Sequence, residues 1–409
     1  MPKFAFVACQ IGAERTILSE VGPPLGNWKL AFSRPGFITL KLDDSSALPP
    51  ASSPPNPSTQ TAADLPKDLP NLPNSPFIRC TGHALGQVQG ETNESLVDSL
   101  LTKIPQYPWS VIHIWQRDTS VPGWHGFEPG PTEAITAIES TIRQRLNNTP
   151  APLSSSPSIN TIAQPGDLIL DIIVVDPKNW WYGMHVAQDR PSSWPGGALP
   201  VHRPEKMLSR AYLKMAEAVA WSRFPWKPGD EVVEIGSAPG GSCQRLLEMG
   251  LKVSGVDPAE MDPQLLSHPN FTHLRGKAAQ LKRRMFRKFR WLTADANVAA
   301  SYTLDAVEDI VRYPGVAIEG MLLTLKMSEW SQAKDLQSHI KRIRSWGFPF
   351  TAVRQLAYNR REVCVAAWRN PKTSKPSRYR RKAKGPARRP RPTPQPPVGD
   401  SPSPPSSTS

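Results

Sequence analysis

In the second half of the chain, short apolar runs alternate with amphipathic stretches. "DEVVEIG", "LKVSGVDP", "RWLTADA", "GVAIEGMLLTLKM", "FTAVRQLAY" and "REVCVAAW" read as strands. Between or before them, "SRAYLKMAEAVAWSRF" and "SQAKDLQSHIKRIRSWG" carry apolar residues at helical spacing. Strands alternating with helices from about residue 205 predict an α/β fold on a mostly parallel sheet. The first half is less regular. "FAFVACQIG" and "FITLKL" flank an expected helix at "GAERTILSEV". "PFIRC", "WSVIHIW" and "DLILDIIVVD" (167–176) read as further strands, and "WWYGMHVAQD" as a hairpin arm. Together they predict a small α/β module of strands with one or two helices. One residue breaks the pattern: Lys326 ends the apolar run "MLLTLK". A buried ammonium is costly unless it is paired or put to use.

Two stretches carry no periodicity. Residues 43–76 ("DDSSALPP…") and 147–166 ("NNTPAPLSSS…") are rich in Pro, Ser and Asn and read as disordered insertions. The segment 370–409 opens with ten basic residues and no acidic one over 370–392, then turns into Pro and Ser; it reads as a disordered tail. The expected organisation is a module over 1–190, a catalytic domain over 200–369 and the tail over 370–409. The 49 Lys+Arg against 35 Asp+Glu give a net charge of +14, which favours a polyanionic partner. Cys9, Cys80, Cys243 and Cys364 are too widely spaced for a CxxC-type metal site or a disulfide framework, so no metal is expected and a reducing cytoplasm fits best. No apolar run approaches the roughly 18 residues of a membrane span. The opening "MPKFAFVACQIGAERT" lacks the features of a secretory signal. A soluble cytoplasmic protein, with no membrane partner, is the expectation.

Chemistry enters at "VVEIGSAPGG". Glu234 closes a strand, and Gly236, Gly240 and Gly241 let the backbone turn sharply beside a ligand. In α/β sheets ligands bind outside the carboxyl ends of the strands. The spacing is not GxGxxG and no Walker lysine follows, which disfavours a dinucleotide or nucleoside triphosphate. Asp257 ends the next strand, where a carboxylate suits a ribose diol. A nucleoside ligand without pyrophosphate fits these features, and S-adenosylmethionine is of that kind.

Four polar residues stand apart. Lys214 lies in the helix before the first strand, Asp295 ends "WLTAD", Lys326 ends "LLTLK", and Glu362 begins "EVCVAAW". Singly, each has a bland account: a solvated helix residue, an N-cap, a strand-end ammonium, a surface carboxylate. Together, three of them fall where the strands of one sheet would open onto one ligand.

With "SRAYLK", "EIGSAPGGS", "VDP", "TAD", "LTLK" and "NRREVCVA" in this order, the sequence resembles the FtsJ-type ribose 2′-O-methyltransferases. The resemblance implies a Rossmann-like domain with a mostly parallel seven-stranded sheet, and a Lys–Asp–Lys–Glu catalytic tetrad matched by Lys214, Asp295, Lys326 and Glu362. It implies S-adenosylmethionine as cofactor, bound through Glu234, Gly236, Ser237, Ala238, Pro239, Gly240, Gly241, Asp257 and Asp295. Upstream, "FVACQIGAERTILSEV", "RPGFITLKL" and "WYGMHVAQDRPSSWPGGALP" are similar to the large-subunit rRNA ribose methyltransferase M group, whose members join a THUMP-like RNA-binding part to the catalytic domain and modify a cytidine. The implied partner is large-subunit rRNA, free or in a precursor particle, and the implied enzyme is a monomer. Two residues depart from the pattern. Glu234 stands where the family usually has Asp, and Lys277 lies near where members hold an acidic residue for adenine.

The implied reaction answers the question raised by Lys326. A ribose hydroxyl is a poor nucleophile and a sulfonium methyl is already activated, so much of the catalysis is alignment. A lysine beside another cation in a partly dry pocket can accept the hydroxyl proton. Lys326 is expected to be that buried base, with Asp295 and Lys214 positioning it and Glu362 holding Lys214 or the ribose. The alternative is an RNA-binding protein that keeps the fold without turnover. A nicotinamide dehydrogenase fails on the glycine spacing. The basic run "KRRMFRKFR" (282–290) is either a solvated face or a phosphate-contacting surface.

Overall fold

Apolar strands that are continuous rather than alternating need cover on both faces, and the second half of the chain supplies it. The computed structural model describes residues 3–23, 26–43, 69–148, 153, 156–188 and 190–369. Most of the 43–76 insertion, part of 147–166 and the 370–409 tail lie outside these residues.

The first half contributes β1 (Phe4–Cys9), α1 (Glu14–Val21), β2 (Trp28–Arg34), β3 (Phe37–Leu42), β4 (Ile78–Gln89), α2 (Asn93–Lys103), β5 (Val111–Gln116), α3 (Glu133–Asn148), β6 (Ser158–Ile159), β7 (Leu168–Asp176) and β8 (Asn179–Val186). The eight strands form one sheet in the order β2-β3-β1-β4-β8-β7-β5-β6, antiparallel except where β5 pairs with β6 and β7. Among the described residues, three helices stand where one or two were expected. α2 begins at a reciprocal cap between Thr92 and Ser95 and buries Leu96, Val97 and Leu100. α3 buries Ile135, Ile138 and Ile142, one residue per turn. The stretch 147–166, read as disordered, holds β6: Asn160 Oδ1 accepts from Ile114 N at 2.7 Å, and Ala163 is buried.

The second half contributes α4 (Ala211–Ser222), β9 (Glu231–Ile235), α5 (Gly241–Glu248), β10 (Lys252–Asp257), α6 (Pro263–Leu266), β11 (Phe271–Arg275), β12 (Trp291–Ala294), α7 (Ala300–Val311), β13 (Gly320–Lys326), α8 (Leu336–Ser345), β14 (Phe350–Arg354) and β15 (Glu362–Trp368). Their sheet runs β11-β10-β9-β12-β13-β15-β14, with β15 antiparallel to both neighbours and the rest parallel. This is the mostly parallel, seven-stranded Rossmann-like sheet expected from the sequence.

Side-chain alternation along these strands sorts the core. Met321, Leu323, Leu325, Val363 and Val365 pack on one face with α7 and α8. Val232, Trp291, Leu322, Cys364 and Ala366 pack on the other with Met215 and Ala218 of α4 and Leu246 of α5. Residues at the same parity beyond these, Asp295, Lys326 and Glu362, therefore face α4.

Residues up to 370 group as one unit. Ile17, Ile38 and Phe77 of the first half share a buried cluster with the second. Arg79, itself in a buried bidentate pair with Asp118 at 2.8 Å, offers its carbonyl to Arg354 Nη2 at 2.7 Å. Gln355 N donates to Pro76 O at 2.8 Å.

Candidate active site

Parity brings three of the four polar residues to one place and α4 brings the fourth. Lys326 and Glu362 are direct register partners of β13 and β15, and β12 lies on the other side of β13. Lys214 Nζ lies 2.5 Å from Asp295 Oδ2 and 3.0 Å from Glu362 Oε1. Lys326 Nζ lies 3.1 Å from Glu362 Oε2 and 3.7 Å from Asp295 Oδ1. Two ammonium groups and two carboxylates thus alternate in a balanced ring. Burial alone would push the Glu362 carboxyl up, but Lys214 and Lys326 more than offset it and hold its pKa below the usual carboxylate range. Burial alone would push Lys214 down, but Asp295 and Glu362 win and raise it above an ordinary lysine.

One expectation is corrected. Lys326, read as buried, has a quarter of its side chain exposed, because it ends its strand at the sheet's open edge; Lys214 is the enclosed one, at 12%. Asp295 Oδ1 is buried and accepts no hydrogen bond among the described residues. The ring is closed toward the protein and open at Lys326.

The glycine turn lies beside this ring. Gly236 has φ +78°, and a Cβ there would stand 2.5 Å from the Ala296 Cα, next to Asp295. Gly240 has φ +129°, a conformation that L side chains rarely adopt, and a Cβ on Gly241 would meet Ser209 at the foot of α4. Asp257 accepts from Ala238 N at 3.1 Å and from Ala259 N at 2.8 Å, so it fixes the loop holding Pro239 and keeps its remaining lone pairs. Ser237 turns its hydroxyl to the Met261 sulfur and is buried; only its backbone faces the turn. Glu234 is fully buried, bonded by the Thr293 hydroxyl, and burial pushes its carboxyl up to about 8. Its Oε1 has no hydrogen-bond partner among the described residues. Asp295 Oδ1, the unpartnered buried acceptor beside the glycine turn, fits a polar ligand there.

Sequence reasoning passed over several residues that build this site. Glu217, one turn past Lys214 on α4, is fully buried and accepts from Ala357 N at 3.0 Å and Tyr358 N at 3.2 Å, so it anchors the loop leading to Glu362. It reads as one more helix glutamate until the fold is known. The segment 119–131 from the first half reaches the same shoulder. Arg360 Nε donates to Pro122 O at 2.8 Å, and Arg210, at the start of α4, pairs with Glu128 and donates to Tyr358 O at 3.1 Å. Trp124 in this segment is 55% exposed. In the basic run 282–290, Arg283 pairs with Asp309, Arg287 donates to Pro314 O, Lys288 meets Glu231, and Arg290 bonds Asp230 and Glu319, while Lys282, Arg284, Arg287 and Lys288 stand exposed. Lys277 is exposed at the start of the turn after β11.

The sheet order, with a glycine turn and a charged ring at its carboxyl edge, is that of a Rossmann-like fold. Residues 207–376 match the FtsJ-like methyltransferase family. Ribosomal RNA large subunit methyltransferase M of Laribacter hongkongensis is 31% identical over 183 residues, 42% of this chain and 51% of that protein. The protein of the same name from Halorhodospira halophila is 28% identical over 192 residues, 45% of this chain and 53% of that one. The chain thus spans about half the length of these curated relatives. Among solved structures, Aeropyrum pernix fibrillarin with bound S-adenosyl-L-methionine aligns at a TM-score of 0.30 and 17% identity, covering 48% of this chain and 81% of that one. No helix among the described residues is long and apolar enough to cross a membrane.

Proposed function

We propose that this protein transfers a methyl group from S-adenosylmethionine to a ribose 2′-hydroxyl of large-subunit ribosomal RNA, a cytidine by likeness to the M group. The observation that carries the reading is the ring of Lys214, Asp295, Lys326 and Glu362 at one sheet edge, 2.5 to 3.7 Å apart, beside the glycine turn. The cofactor supplies an activated methyl. Gly236, Ala238, Pro239, Gly240 and Gly241 give it a backbone cradle, with Glu234, Ser237, Asp257 and Asp295 around it. Lys326, the exposed member of the ring, meets the ribose hydroxyl and orients it or takes its proton. Glu362 and Asp295 hold Lys326 in place, and Lys214, enclosed between the same carboxylates, fixes their spacing. The first-half sheet serves as a THUMP-like RNA-binding module, and the basic 370–409 segment adds electrostatic affinity.

The test is transfer of labelled methyl from S-adenosylmethionine to rRNA, free or in ribosomal precursors, from cells lacking this protein. Wild type and Lys326→Ala are run side by side and the product is mapped. One new 2′-O-methyl position, absent with the variant, supports the reading. Cofactor binding without transfer to any of these substrates replaces it with an RNA-binding protein of methyltransferase fold. Methyl on a base overturns the assignment of the ring.

A further inference from the structure

The first-half sheet holds a second buried cluster of reactive side chains. One of its faces packs Phe6, Ala8, Cys80, Trp115, Ile173 and Val175 into a common cluster. Alternation from Trp115 and Ile173 puts His113 and Asp171 on that same face, and they are register partners across β5 and β7. His185 pairs in register with Ile169, which shares the parity of Asp171. Three adjacent strands, β4, β8 and β7, thus each send one of Cys80, His185 and Asp171 to one spot, and His113 of β5 lies beside them. A sulfur of Cys80, a carboxylate oxygen of Asp171 and a ring nitrogen of His185 all lie within 4.8 Å of one another, and all three residues are buried.

The surroundings are those of a ligand set. His185 Nδ1 is 2.5 Å from Asp171 Oδ2, and its Nε2 is 2.7 Å from the Ser192 carbonyl. Asp171 Oδ1 accepts from Trp115 Nε1 at 2.9 Å. Each ligand's outer atom is held by a neighbour, as metal-binding histidines and carboxylates usually are. His113 adds an independent sign. It is 0% exposed, its Nε2 donates to the Thr161 carbonyl at 3.0 Å, and its Nδ1 lone pair has no partner among the described residues. Its ring centre lies 6.4 Å from that of His185.

We infer that Cys80, Asp171 and His185, with His113 beside them, form a structural zinc site in the first-half sheet. Thiolate, imidazole and carboxylate together suit zinc, with bonds of about 2.0–2.3 Å. Binding displaces the Cys80 thiol proton and the proton between His185 and Asp171 to solvent, and the ion then ties three neighbouring strands. No short spacing motif announces the site, since its members are scattered between Cys80 and His185. The site lies apart from the methyltransferase ring and does not depend on what that ring does.

The experiment uses the full, untagged chain from zinc-supplemented medium. Elemental analysis should give about one zinc per chain after exhaustive buffer exchange. Cobalt replacement should produce a thiolate-to-cobalt charge-transfer band, lost in Cys80→Ser and kept in Cys364→Ser. X-ray absorption of the wild-type zinc protein should count one sulfur among nitrogen and oxygen ligands, which decides the matter even where a variant fails to fold. A wild-type chain that holds no stoichiometric zinc and gives no such band with cobalt overturns the site, leaving a buried Asp171–His185 pair. A sulfur-free zinc shell overturns it equally.

Discussion

Lys326 and Glu362 are direct cross-strand partners at the open end of the antiparallel pair β13–β15, with Nζ 3.1 Å from Oε2. The reversed strand is what makes the pairing possible: β13 ends where β15 begins, so the last residue of one meets the first of the other. Replacing Lys326 with Ala or Met should lower the methyl-transfer rate by roughly 10²–10⁴-fold, the usual span for a positioned proton-transfer group. Cofactor affinity should stay within a few-fold, read by calorimetry. A variant that transfers at the wild-type rate would remove Lys326 from the chemistry.

Glu217 gives a prediction about stability. Its buried carboxylate satisfies two backbone amides of the 355–360 loop. Glu217→Ala leaves both unpaired and should cost roughly 1–3 kcal/mol, seen as a lower urea midpoint. Because that loop leads into Glu362, the variant should also lose turnover beyond the loss of folded protein. Stability within experimental error of wild type would show the two amides are satisfied some other way.

Glu234 gives a prediction about pH. Its carboxyl, ordinarily near 4.5, is raised to about 8 in the folded protein. A raised acid stays protonated in the native state while the unfolded chain ionises. Its contribution to stability is therefore complete below about pH 4.5 and is lost as the pH rises to about 8, by about 1.36 kcal/mol for each pH unit crossed between those values. Without cofactor, wild type should lose more stability between pH 5 and pH 8 than Glu234→Gln does, measured by urea unfolding at both. Equal slopes for the two proteins would contradict the raised value.

Trp124 stands exposed on the segment that reaches the shoulder of the ring. An exposed indole beside a nucleic-acid site is a stacking platform, commonly about 1–3 kcal/mol per base. Trp124→Ala should raise KM for RNA by roughly ten-fold or more, with melting temperature and cofactor affinity unchanged, and Trp124→Phe should recover much of the loss. An unchanged KM would place the RNA elsewhere.

Much of the second half was legible because its chemistry sits at strand ends. Asp295, Lys326 and Glu362 each interrupt or bound an apolar run, and parity then fixes which face they share. The exposure of Lys326 was misread because an apolar run says that a strand is buried, not where it stops being covered. Glu217 and Glu128 left no trace, since a lone glutamate in a helix or loop has many surface explanations. β2 was missed as well: "WKLAFSR" shows little apolar periodicity, and apart from Trp28 its residues are exposed or half-buried. Asp171 sat in plain view inside "LILDIIVVD", yet its partners come from three other strands.

The contact of segment 119–131 with residues 355–360 has an evolutionary consequence. Arg360 holds the carbonyl of Pro122, while Arg210 bridges Glu128 and the carbonyl of Tyr358. A change of loop length in either segment would shift the other, and with it Glu362 two residues further on. The two stretches therefore cannot drift apart in sequence independently. Lineages that remodel one should carry a matching change in the other, more than two hundred residues away.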